Sequence, residues 1–183
     1  MNNHPRRAPW SAASRLALAG LIAVACHGAA GAASLTQKDV QILAKAIGFL
    51  EPPPSGNGTV AIAYDPADPA SKQDADAIAS YFGEGLKAGN AVLKPVVTAV
   101  GQLSSGGFVA VVAAAGVKVD QVATATRALH VACITADATA VQSGQCVMSV
   151  KSDPKVEILI SRSAAASSNV GFGSAFLLMA HEI

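Results

Sequence analysis

Three runs of uninterrupted apolar residues constrain the fold of this chain most: Thr59-Val-Ala-Ile-Ala-Tyr64, Phe108-Val-Ala-Val-Val-Ala113 and Val131-Ala-Cys-Ile-Thr135. Neighbouring residues of a strand point to opposite faces, so a strand apolar at every position must be covered on both sides. Helical stripes fall between the runs. Val40, Leu43, Ala44 and Ile47 follow a Thr36-Gln-Lys-Asp39 start, a hydroxyl cap with a carboxylate three residues on. Ala75, Ile78, Ala79, Phe82 and Leu86 form a second stripe. Val122, Ala125, Thr126 and Leu129 form a third, with Asp120 as its cap. Strands alternating with helices in this way predict an α/β three-layer sandwich with a largely parallel mixed sheet, in a single domain.

Further elements follow from punctuation. Val92 to Val100 predicts another strand, in which Pro95 points to an edge position or a bulge. Cys146-Val-Met-Ser-Val150 and Val156-Glu-Ile-Leu-Ile160 flank Lys151-Ser-Asp-Pro-Lys155, the pattern of a hairpin. Asn169 is expected to cap a last helix with Phe172, Ala175, Phe176, Met179 and Ala180 on one side.

The first 33 residues predict an address for export. Arg6, Arg7 and Arg15 precede the apolar run Leu16 to Val24, and small residues end in Ala30-x-Ala32, the three parts of a secretory signal peptide. That run is about half of the roughly twenty residues a spanning helix needs. Two variants compete: Ala23-Val-Ala-Cys26 resembles a lipoprotein box that would anchor the chain through Cys26, and Arg6-Arg7 resembles a twin-arginine signal. The ordinary secretory reading ranks first, and the domain is expected over residues 34–183. With the net charge at +1, and three of the 13 basic residues in the leader, the remainder holds 10 basic against 12 acidic residues. Nothing there favours nucleic acid, which needs clustered Lys and Arg.

In an oxidising compartment the two later cysteines, Cys133 and Cys146, are expected to pair where geometry allows; the alternative is two separate buried thiols. No H-E-x-x-H, no G-x-S-x-G and no cysteine-rich metal motif occurs, so no cofactor, metal or catalytic residue is expected. Gly171-Phe-Gly173 begins like a dinucleotide loop, but Phe176 stands where the third glycine belongs. Ligands of open parallel sheets sit at the carboxyl ends of the strands. Asp65, Asp68, Thr135 and Asp137 fall there as candidate ligand-binding residues, although Asp65 and Asp68 precede prolines and suit plain turns.

The last third carries a resemblance. Gly144-Gln-Cys-Val-Met148, then Val156-Glu-Ile-Leu-Ile160, then an alanine-rich stretch and Phe172-Gly-Ser-Ala-Phe-Leu-Leu-Met-Ala180 resemble the end of the YfiR-like periplasmic proteins. Lys45-Ala-Ile-Gly-Phe-Leu50 corresponds to the end of that family's opening helix. The chain departs from the pattern at Glu51-Pro-Pro-Pro54, Gln145 and Leu159. The family has a bridge near Cys133 and Cys146, which agrees with their pairing. The resemblance implies a periplasmic regulator without enzymatic activity that restrains an inner-membrane signalling protein, such as a diguanylate cyclase, by binding its periplasmic part. The competing expectations are a small-ligand-binding periplasmic protein serving a transporter, and an enzyme using Asp65 or Asp137. The sequence does not give the oligomeric state, and a homodimer is left open.

Overall fold

Thr36 opens the first helix as its sequence predicts. Its hydroxyl accepts the Asp39 N–H while the Asp39 carboxylate accepts the Thr36 N–H, satisfying two of the donors that a helix start leaves bare. The computed structural model in which this is seen describes Met1 and residues 33–183. The expected leader, Cys26 included, otherwise lies outside the described residues.

The elements run α1 (Gln37–Ile47), β1 (Leu50–Glu51), β2 (Ser55–Tyr64), α2 (Pro69–Phe82), β3 (Leu86–Ala88) and β4 (Asn90–Ala99). A 3-10 helix (Val100–Ser105) leads to β5 (Phe108–Ala113), α3 (Val119–Leu129), β6 (Ala132–Thr135), α4 (Ala138–Gln142), β7 (Met148–Lys151) and β8 (Glu157–Ile160). The chain ends with α5 (Arg162–Ser167), β9 (Gly171–Phe172), α6 (Ser174–Leu177) and β10 (His181–Glu182). Eight strands form one mixed sheet in the order β10-β8-β7-β6-β5-β2-β4-β3. Its pairs are parallel except β3 with β4 and β7 with β8. β1 and β9 pair separately.

Helices cover both faces, so the fold is the expected α/β sandwich. The alternation within each apolar run shows why both faces had to be covered. Val60, Ile62, Val112 and Ile134 pack in one core with Leu43 and Ile47 of α1 and Ile78 and Phe82 of α2. Their neighbours Ala61, Ala63, Val111 and Cys133 pack on the other side with Leu103, Val122 and Val141. Each fully buried Val, Ile or Leu contributes roughly 1.5–3 kcal/mol to folding. β7 and β8 form the predicted hairpin. Pro95 lies beyond the Ala91–Leu93 stretch that β3 covers, so it occupies a local edge; the sheet's register shift falls elsewhere, between Thr59 and Val60.

Several expectations need correcting. The helix expected to extend to Leu86 stops at Phe82, because Gly83 takes φ +54 and releases Leu86 into β3. Asp120 does not cap α3; Lys118 holds that position, and Asp120 lies in the first turn, where its charge suits the helix dipole. The single last helix does not form. Asn169, at φ +51, stands just after α5, Phe172 pairs with Leu50, and only Ser174–Leu177 is helical. Strand pairing and the stacking of Phe176 on Phe49, ring centroids 5.3 Å apart, outweigh a helix too short to sustain itself.

Candidate functional site

The parallel strands β4, β2, β5, β6 and β7 stand in the doubly wound order 2-1-3-4-5, which places the ligand crevice where the winding reverses, between the ends of β2 and β5. Here the chain's own side chains bridge that crevice. Asp65, just past β2 and only 7% exposed, accepts the Ala67 N–H at 2.9 Å through Oδ1, and its Oδ2 lies 3.2 Å from Lys118 Nζ. The Asp65 N–H donates to Ser71 Oγ. The Ala67 N–H first, and then the Lys118 ammonium, hold the Asp65 carboxyl below the usual carboxylate range. Asp74 of α2 accepts the Ala115 N–H at 2.7 Å, tying the β5–α3 loop to the helix.

The other predicted residues are occupied in the same way. Asp68 caps α2 by accepting the Ala70 N–H, and its Oδ2 faces Gly116 of the β5–α3 loop. The Thr135 hydroxyl accepts the Asp137 N–H, and Asp137 caps α4 through the Thr139 N–H at 2.8 Å. Asp65 and Asp68 therefore gather at β2, while Thr135 and Asp137 sit two strands away, about 10 Å across the sheet. All four form turns and caps. Cys133 and Cys146 are bonded, with Cα atoms 4.7 Å apart and both residues fully buried. The bond closes a loop that contains Thr135, Asp137 and the whole of α4.

An open space lies further along the same edge. Thr135, Ser149, Leu159 and His181 stand in register across β6, β7, β8 and β10, so they share one face of the sheet. Two residues on, Lys151 of β7 stands opposite Glu157 of β8. Ser149, Lys151, Glu157, Leu159 and His181 line a recess of about 350 Å³, and Gln142 of α4 contributes to its wall. Sequence reasoning missed this group. The period-two alternation in the hairpin puts Ser149 with Lys151 and Glu157 with Leu159, but His181 joins them only because β10, and not a helix, ends the described chain.

A larger cleft of about 490 Å³ opens at the opposite edge, against the amino ends of β2, β5 and β6, where Glu51 and His130 line it. His130 ends α3 in the left-handed conformation at φ +57. In the Gly171–Gly173 segment Gly173 stands at the N-cap of α6, and its own N–H donates to the Phe49 carbonyl at 2.8 Å. Among the described residues no group of three His, Cys, Asp or Glu could hold a metal ion, and no helix is long and apolar enough to cross a membrane. No protein-family model matches the chain, and no curated protein matches it.

Proposed function

We propose that the chain is an exported, non-enzymatic regulator of YfiR-like type that binds and restrains the periplasmic part of an inner-membrane signalling protein, such as a diguanylate cyclase. One observation carries the reading: Leu178 and Met179 stand 89% and 66% exposed on the turn between α6 and β10. Phe176, two residues before this turn, stacks on Phe49, which is itself 40% exposed, and packs at a tilt against Phe172. Grouped apolar side chains facing water mark a surface for a protein partner. The buried disulfide suits an oxidising compartment. The carboxylates at the sheet's carboxyl edge serve their own turns and caps, which leaves recognition rather than reaction as the role best supported.

The test is genetic and biochemical together. Deleting the gene should raise cyclic-di-GMP, and the wild-type copy should restore the original level. A Leu178→Asp, Met179→Asp variant secreted in equal amount should fail to restore it. Unchanged cyclic-di-GMP after deletion, or full restoration by the variant, would refute the reading. The second reading, a ligand-binding protein serving a transporter, draws its support from the recess beneath α4 and predicts a melting temperature that rises with ligand.

A further inference from the structure

We propose that the recess between α4 and strands β7, β8 and β10 binds a small zwitterion, specifically an α-amino acid with a medium-sized apolar side chain. This does not depend on the regulatory reading. Lys151 and Glu157 are directly opposed across an antiparallel pair, which sets their Cβ atoms about 5 Å apart. Among the described residues, neither forms an ion pair with the other or with any third group. A cation and an anion thus stand side by side with separate vacancies, a pattern matched by a ligand whose carboxylate and ammonium are joined through one carbon. A ligand with one charge would engage only one of the two side chains and forgo the second contact.

The floor supplies the remaining recognition. Ser149 is only 6% exposed, lines the recess, and its hydroxyl makes no hydrogen bond to the described residues. It is placed to donate to the ligand carboxylate beside the Lys151 ammonium. Leu159, 7% exposed, and Ile183 give an apolar surface for the side chain, and Gln142 of α4 bounds the far wall. The volume of about 350 Å³ falls at the small end of ligand sites, which excludes dinucleotides and favours single amino acids.

Calorimetry and thermal melting on the purified protein test the proposal with L-leucine, 4-methylpentanoate and isopentylamine as probes. The last two are leucine without its amine and leucine without its carboxylate. L-Leucine, and L-methionine as a second amino acid, should bind and raise the melting temperature. Each singly charged analogue should bind at least about tenfold more weakly. Lys151→Met and Glu157→Gln, both at exposed positions, should melt as the parent without ligand and each lose about tenfold in leucine affinity. In Lys151→Met the gap in affinity between leucine and isopentylamine should narrow, leaving only the Ser149 contact to favour leucine. No heat and no melting shift with either amino acid at about 10 mM would overturn the proposal. So would equal binding by the singly charged probes, or undiminished binding in both variants.

Discussion

Gly116 and Asp68 meet where the winding of the sheet reverses, and replacing either residue tests how that crevice is closed. Gly116 has φ +77, and a Cβ built there would stand 2.5 Å from Asp68 Oδ2. In Gly116→Ala the left-handed backbone alone costs roughly 1–2 kcal/mol. The new methyl also overlaps Asp68 Oδ2; on the prediction that the whole carboxylate swings away, the Ala70 N–H loses its acceptor and the cap of α2 is lost, about 1 kcal/mol more. The single variant should therefore be roughly 2–3 kcal/mol less stable than the parent. Asp68→Ala alone should cost about 1 kcal/mol. In the double variant the cap is already gone and the methyl meets no carboxylate, so only the backbone cost is added. Its stability should match that of Gly116→Ala within a few tenths of a kcal/mol, a coupling of about 1 kcal/mol. Urea unfolding at neutral pH, with the slope shared among the four proteins, measures this cycle. If the double variant loses the sum of the two single losses, the carboxylate does not close against the glycine and the account of the crevice is wrong.

Three further outcomes are expected. Replacing both Cys133 and Cys146 by alanine opens a loop with a sequence separation of 13 and should cost about 3 kcal/mol on the chain-entropy model, seen as a lower urea midpoint. A loss below about 1 kcal/mol would show that the unfolded chain is already restricted there. Phe82→Ala empties a site only 2% exposed and should cost roughly 3–5 kcal/mol in the same assay. Stability should also fall in acid. Burial pushes the Asp39 carboxyl up, but the Thr36 N–H and hydroxyl that donate to it, with Ser152 nearby, outweigh burial and lower it, and Asp65 is lowered as well. With both folded values below the unfolded ones, the unfolded chain takes up these protons first. Their stabilisation is complete above the ordinary carboxylate pKa and is lost as pH falls through the lowered folded values. Asp65→Asn should flatten the acid side of a melting-temperature profile against pH, and an unchanged profile would contradict the Ala67 N–H and Lys118 contacts together.

The fold was legible wherever burial imposes a period. Thr59 to Tyr64 and Phe108 to Ala113 had to lie between two covered faces, and the Thr36–Asp39 pair carried its helix start in four letters. Elements made by partners rather than by their own pattern were hidden. Ser55–Gly58 is polar and becomes strand by pairing with Asn90–Leu93. The five residues of α4 contain too few turns to show a stripe. The terminal segment looks helical from Phe172 to Ala180, yet Leu50 and Phe49, distant in sequence, draw it into strand pairing and stacking. The candidate site divides along the same line. Asp65, Asp68, Thr135 and Asp137 were placed correctly at strand ends, but their carboxylates and hydroxyl are spent locally on turns. The recess needs β10 beside β8, a pairing that no local pattern announces.

The disulfide loop makes the two banks of the recess unequal. Gln142 and the helix that bears it are fastened covalently at both ends of a short circuit, between the third apolar strand and the start of the hairpin. His181 and Ile183, by contrast, are held by a two-residue strand, the Ile183 N–H to the Ile160 carbonyl and the Arg162 N–H to the Ile183 carbonyl. Hydrogen exchange should find the α4 amides opening only with the whole protein and the β10 amides opening far sooner. A guest entering the recess would leave the stapled bank as it stands and would find its ordering cost almost wholly in the other.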